Sequence, residues 1–226
     1  MIKRWFVTGT DTDVGKTIAS SALLQAANRA GYRTAGYKPV ASGCDITPQG
    51  RRNSDALLLQ ANSSVELSYE AVNPLAFIEP TSPHIVSVME QRPIAFDSLS
   101  HGLQRLSTQA DWIVVEGAGG WFTPLSEQQT FADWVHQEQL PVILVVGVKL
   151  GCINHAMLTA RAIQQAGLTF SGWIANVVIP PGRYHTEYLT TLQHCLSAPM
   201  LGEIPHLPYP SQQELGHYLN IALLSV

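Results

Sequence analysis

Trp5-Phe6-Val7-Thr8-Gly9-Thr10-Asp11-Thr12-Asp13-Val14-Gly15-Lys16-Thr17 is the stretch whose reading decides the fold. An apolar run leads into a glycine-bounded loop closed by Gly-Lys-Thr, and a helical pattern follows. That order matches the Gly-x-x-x-x-Gly-Lys-[Ser/Thr] phosphate loop. There, backbone N–H groups converge on phosphate oxygens, the lysine adds a point charge near the β/γ-phosphates, and the hydroxyl reaches Mg²⁺. The loop is one residue longer than the common pattern, with five residues between Gly9 and Gly15. Gly-Lys-Thr alone is also compatible with an ordinary helix start carrying a basic first turn; the preceding strand and following helix favour the phosphate loop.

Working outward, the 226 residues are 46% hydrophobic, enough for one sizeable core, so a single domain over 1–226 is expected. A net charge of −4 and the lack of any Lys/Arg block argue against a nucleic-acid partner. The start, Met1-Ile2-Lys3-Arg4-Trp5, runs directly into the loop, and the longest apolar run, Val142 to Val148, is too short to span a bilayer. A cytoplasmic protein without membrane association is the expectation. Cys44, Cys152 and Cys195 are odd in number and far apart, which fits small, partly buried residues better than a disulfide framework or a thiolate metal site.

Strand-like runs recur at Trp5–Val7, Thr34–Tyr37, Trp112–Val115, Val142–Val146, Trp173–Ala175 and Met200–Ile204, mostly separated by helical patterns. In the first of these, Ile18, Ala19, Ala22, Leu23, Ala26, Ala27 and Ala30 repeat at helical spacing and stop at Gly31. Continuous apolar strands alternating with helices predict an α/β fold: a P-loop NTPase-like, doubly wound, mainly parallel sheet with helices on both faces. Its ligand belongs at the carboxyl ends of the strands. Residues 43–110, punctuated by prolines, predict short helices around a substrate cleft.

Polar residues follow the strands where such a site needs them. Lys38-Pro39-Val40-Ala41-Ser42-Gly43 offers a second lysine and a hydroxyl, although a surface lysine before a proline turn reads equally well. Glu116, expected at a strand end before Gly117-Ala118-Gly119-Gly120, is suited to hydrated Mg²⁺. Asp55 is a second candidate carboxylate, or simply a first-turn acid in a helix capped by Ser54. Asn176 is positioned to read a base edge or to shape the turn before Pro180-Pro181-Gly182. Gly151-Cys152-Ile153-Asn154-His155 opens a helix whose free N–H groups suit a carboxylate. No zinc spacing, nucleophile elbow or Gly-x-Gly-x-x-Gly dinucleotide fingerprint is present.

Together, residues 9–17, Gly36-Tyr-Lys-Pro-Val-Ala-Ser42, Glu116-Gly-Ala-Gly-Gly120 and 151–155 resemble the dethiobiotin synthetase family. Arg52-Asn-Ser-Asp55, Glu79-Pro-Thr-Ser-Pro-His84 and Gln137-Glu-Gln-Leu-Pro141 look similar too, and the lengthened loop is that family's form. The resemblance implies ATP- and Mg²⁺-dependent closure of a cyclic urea from 7,8-diaminononanoate and CO₂, through a carbamate and its phosphoric anhydride. It implies catalytic roles for Lys38, Lys16 and Thr12, and Mg²⁺ held by Thr17, Asp55 and Glu116. ATP contacts would come from Asp13, Val14, Gly15, Lys16, Thr17, Ile18, Asp55, Glu116, Gly117, Ala118, Gly119, Asn176, Val177, Pro205, His206 and Leu207. Substrate contacts would come from Ser42 and, lent by the second subunit of a homodimer, Gly151, Cys152, Ile153 and Asn154, with Tyr188 close by. The extra loop residue is expected to carry Thr12 towards the carbamate. Val177 stands where many relatives are acidic, and the tail His206 to Gln213 departs from the family's nucleotide-framing pattern.

Two other classes share parts of this reading. Partitioning-type switch ATPases resemble one another in an early extra lysine, where this chain has Thr10 and Asp11. A paralogous ligase acting on a different acid or amine is the other, although amidating enzymes of that kind carry a glutaminase domain for which this length leaves no room.

Overall fold

The computed structural model describes residues 2–224, so residues 1, 225 and 226 of the expected 1–226 domain lie outside it. β1 (Lys3–Gly9), β2 (Thr34–Tyr37), β7 (Trp112–Gly120), β8 (Val142–Gly147), β9 (Phe170–Asn176) and β10 (Met200–Ile204) form one sheet in the order β10-β9-β8-β1-β7-β2. Every neighbouring pair in it is parallel. The connections carry α1 (Lys16–Arg29), α2 (Ser54–Asn62), α3 (Tyr69–Val72), α4 (Pro83–Met89), α5 (Phe96–Ser107), α6 (Phe131–Gln137), α7 (Cys152–Gln165) and α8 (His185–Cys195). Two small ladders complete the fold: β3 (Val40–Ala41) with β6 (Leu75–Ala76), parallel, and β4 (Asp45–Thr47) with β5 (Gly50–Arg52), antiparallel.

The six expected strands are all present, because β-branched and aromatic runs covered on both faces have nowhere else to go. Alternate residues of β8 serve opposite layers: Ile143 and Val145 join the main core, while Leu144 and Val146 join Trp173, Ala156 and Leu192 beneath α7 and α8. The helix predicted after the loop ends at Arg29, with Ala30 as its cap and Gly31 at φ +88 just beyond.

Three expectations need correction. β7 does not end at Val115 but runs to Gly120, so Glu116 sits within the strand, opposite Val7, rather than at its tip. The Gly-Ala-Gly-Gly run has poor strand propensity, and pairing with β1 overrides it. Ser54 is not the cap of α2: Asn53 accepts hydrogen bonds from the backbone N–H groups of Asp55 and Ala56. Residues 43–110 do hold the short helices α2, α3 and α4, with α2 beside the cleft, but they also hold the 12-residue α5, which packs Leu99, Leu103 and Leu106 into the main core, and the β4–β5 ladder.

Candidate active site

The loop between β1 and α1 rests on two close backbone approaches. A Cβ at Gly9 would lie 2.6 Å from Val14 Cγ2, and Gly15 takes φ +80 to present the start of α1 with no side-chain cap of its own. Asp13, within the lengthened loop, is also left-handed at φ 58. The uncapped N–H groups and the helix dipole make this a place for an anion. Lys16 folds back over the loop, its Nζ donating to Asp11 O at 3.2 Å, which leaves further N–H donors for phosphate. Burial first, and the charge of Lys38 second, bring its pKa down from 10.5 to about 8, against the pull of Glu116, Asp55 and Asp13.

Strand order brings the second lysine to the same place. β7 lies between β1 and β2, so Lys38, just past β2, and Glu116, inside β7, meet beside the loop. Lys38 Nζ donates to Glu116 Oε1 at 2.6 Å, to Asp55 Oδ2 at 3.0 Å and to Gly117 O at 3.4 Å, which uses all three of its N–H groups. Its backbone is fixed too, with its N–H donating to Val72 O and its carbonyl accepting from Asn73 Nδ2. Burial alone would lower the pKa of this lysine. The charges and hydrogen bonds of Glu116 and Asp55 more than reverse that and hold the ammonium protonated well above the ordinary lysine range. Asp55 is held below its usual value: burial opposes this, and the charge and hydrogen bond of Lys38 prevail. Asn53 ties the segment together, donating from Nδ2 to Ser42 O while its backbone N–H donates to Tyr69 Oη.

Thr17 Oγ1 donates to Glu116 Oε1 at 2.9 Å. Glu116 is fully buried, and its other oxygen, Oε2, has no hydrogen-bond partner among the described residues. A buried lone pair without a donor is costly, and a hydrated divalent cation would satisfy it. Mg²⁺ takes one or two carboxylates and completes its shell with water and substrate phosphates. One hydroxyl and two carboxylates beside a phosphate loop fit that ion.

A cavity of about 860 Å³ unites these groups. Of the residues expected in the site, Thr12, Asp13, Gly15, Lys16, Thr17, Ile18, Lys38, Ser42, Asp55, Ala118 and Gly119 line it, while Val14, Glu116 and Gly117 support it from behind. Leu57, Leu58 and Ala61 of α2 also line it, as does Ser211 of the tail; no local sequence pattern marks these four.

The remaining expected residues lie elsewhere. Asn176 is on the opposite flank of the loop, its Nδ2 donating to Val14 O at 2.9 Å, so part of the amide expected to read a base is engaged in holding the loop. Val177 is beside it, its N–H donating to Ile204 O, and its carbonyl approaches His206 Nδ1 at 3.3 Å. Asn176, Val177, Pro205, His206 and Leu207 therefore form a separate flank and do not line the cavity. Gly151 caps α7 at φ 93; Cys152, Ile153 and Tyr188 belong to the packing under α7 and α8, and none of them, nor Asn154, reaches the cavity within one chain.

A parallel sheet with a phosphate loop at its central strand, and two lysines answered by two carboxylates, defines a P-loop nucleoside-triphosphate-binding protein. Comparison with known proteins narrows the class. Residues 3–214 match a family model described as an AAA domain. The chain is 68% identical over 225 residues to the ATP-dependent dethiobiotin synthetase BioD 1 of Escherichia coli (strain K12), spanning 99% of this chain and 100% of that protein. It is 66% identical to the ATP-dependent dethiobiotin synthetase BioD of Serratia marcescens, over the full length of both. The chain belongs to the dethiobiotin synthetase family. Among solved structures, a ParA family ATPase from Chlorobium tepidum TLS superposes with a TM-score of 0.59 at 13% identity, over 97% of this chain and 91% of that one. The MinD cell division protein of Aquifex aeolicus gives 0.57 at 15% identity, over 98% and 89%. These two likenesses concern the fold alone. No helix among the described residues is long and apolar enough to cross a membrane.

Proposed function

We propose that this chain, acting as one domain over 1–226, is an ATP-dependent dethiobiotin synthetase that closes a cyclic urea from 7,8-diaminononanoate and CO₂. The observation that carries the reading is the cluster in which Lys38 donates to Glu116 and Asp55 and Thr17 donates to Glu116, beside Lys16 and the phosphate loop. One amine of the diamine takes up CO₂ as a carbamate and gives up a proton. A carbamate oxygen attacks the γ-phosphorus as the bond to the β-bridging oxygen breaks, and ADP leaves. The second amine then attacks the carbamate carbon and gives up a proton, and phosphate leaves. The products are dethiobiotin, ADP and phosphate.

Such a reaction asks for positioning and for donors where charge spreads, rather than for a protein nucleophile. The N–H groups around Gly15 to Ile18 and the Lys16 ammonium would hold the β- and γ-phosphates. Lys38, which lines the cavity together with Asp55, would stabilise the carbamate and the transferring phosphoryl. Thr12 and Ser42, which both line the cavity, would orient the carbamate and the diamine. Thr17, Asp55 and Glu116 would hold Mg²⁺, whose contribution is to neutralise charge on the phosphate oxygens. Asn176, Val177 and Pro205 to Leu207 would frame the adenine from their flank of the loop, Asn176 through its carbonyl oxygen and remaining N–H.

The substrate's carboxylate would be taken by the start of α7, at Gly151 to Asn154 with Tyr188 near, from the second copy in a homodimer. Two features support a shared site: these residues do not reach their own chain's cavity, and Leu150 beside them is 87% exposed. Phosphate release is the test. With ATP, Mg²⁺ and bicarbonate it should depend on the diamine, with dethiobiotin seen by mass spectrometry; diamine-independent release would reject the reading. Lys38→Ala should keep ATP binding and lower turnover by orders of magnitude, and near-normal turnover would remove Lys38 from its role.

A further inference from the structure

Lys38 and a divalent cation have a claim on the same oxygens. The ammonium is 2.6 Å from Glu116 Oε1 and 3.0 Å from Asp55 Oδ2, and both lysine and glutamate are buried. Near that pair the only other cation among the described cavity-lining residues is Lys16. Asp55 and Glu116 carry −2 and Lys16 and Lys38 carry +2, so these four charges cancel, and Asp13 on the same cavity adds one negative charge near Lys16. A bare divalent cation would have to displace a hydrogen-bonded ammonium or sit against it in a medium that screens poorly. A metal arriving with a triphosphate brings net negative charge, which both lysines favour, and it gives Lys38 an anion to turn to when it leaves Glu116.

We propose that Lys38 makes metal binding conditional on nucleotide: its ammonium holds the carboxylate pair closed to a lone divalent cation and yields it when phosphate enters the cavity. Delivery of the metal and release of the lysine towards the reacting groups are then one event. Glu116 Oε2, which has no hydrogen-bond partner among the described residues, would be open to the cation once Lys38 turns away from Oε1. The inference rests on the assignment of Thr17, Asp55 and Glu116 to the metal, and does not depend on which acid or amine is the substrate.

Mn²⁺ titration of the full chain without nucleotide, followed by electron paramagnetic resonance of the free ion, tests it. Lys38→Met should bind one Mn²⁺ at least about tenfold more tightly than the wild type, within the usual range of site–site coupling, and adding Glu116→Gln should abolish the gain. Affinities within about twofold of each other would overturn the proposal. Should Lys38→Met fail to fold, the wild type decides by melting temperature. MgCl₂ alone should leave the transition unmoved, while MgCl₂ with ADP should raise it beyond ADP alone; an equal rise from MgCl₂ alone would overturn it. The diamine is absent throughout, so a failure here is distinct from a failure to make dethiobiotin.

Discussion

Gly15→Ala probes the strained point on which the phosphate loop turns. Gly15 has φ +80, where an L side chain costs about 1–2 kcal/mol. Its new Cβ would stand 2.0 Å from Asn176 Nδ2, so the amide must move and forfeit its bond to Val14 O, worth about 1 kcal/mol. The sum is about 2–3 kcal/mol, or roughly 5–10 °C in melting temperature for a chain of this length. Asn176→Ala alone should cost about 1 kcal/mol by losing the same bond. In the double variant the Cβ enters space the amide has left and that bond is lost only once, so the cycle should be sub-additive by about 1 kcal/mol. Thermal unfolding of the four proteins, followed by circular dichroism, measures this. An additive cycle, or a Gly15→Ala protein melting within about 2 °C of the wild type, would refute the coupling of loop strain to β9.

Glu116→Gln leaves the Lys38 ammonium buried against a neutral partner and one remaining carboxylate. Destabilisation near the lower end of the roughly 3–5 kcal/mol for a broken buried pair is expected, and denaturant unfolding at neutral pH would show it. A pH effect follows from Lys16, whose folded pKa near 8 lies below its unfolded value of 10.5. Between those values the unfolded chain holds more protons, so this group's contribution to stability rises with pH across that window. Phosphate needs the charged form, so ATP binding should take up close to one proton at about pH 9 and weaken above about pH 8. Calorimetry in two buffers of different ionisation enthalpy reads that uptake, and buffer-independent heats would contradict it.

The site was legible in the sequence to the extent that its chemistry is local. Gly15-Lys16-Thr17 is a contiguous cradle, and the spacing of its residues is its geometry. That an acid at Glu116 would stand near the loop was readable from the residue order, but its place within β7 was not, because glycines that disfavour a strand in isolation are held in one by β1. Ser54 and Asn53 compete as caps within two positions, and the choice fell to Asn53, whose side chain also donates to Ser42 O. Leu57, Leu58 and Ala61 carry no mark of the site because they reach it only through the packing of α2 on α1 and β2.

By itself, the sequence determined the alternation of apolar strands and helices, the phosphate loop and its extra residue, and the charged and polar types available after each strand. These depend on neighbours along the chain, where propensity, periodicity and capping act. Tertiary structure alone decided that Lys38 meets Asp55 and Glu116, 17 and 78 residues away, and that Ser211 closes the same cavity. It also set the Asn176 group apart from that cavity and placed the start of α7 out of the cavity's reach within one chain. Strand order is the physical reason: with β7 between β1 and β2, a buried carboxylate must be answered by whichever cation the next strand delivers.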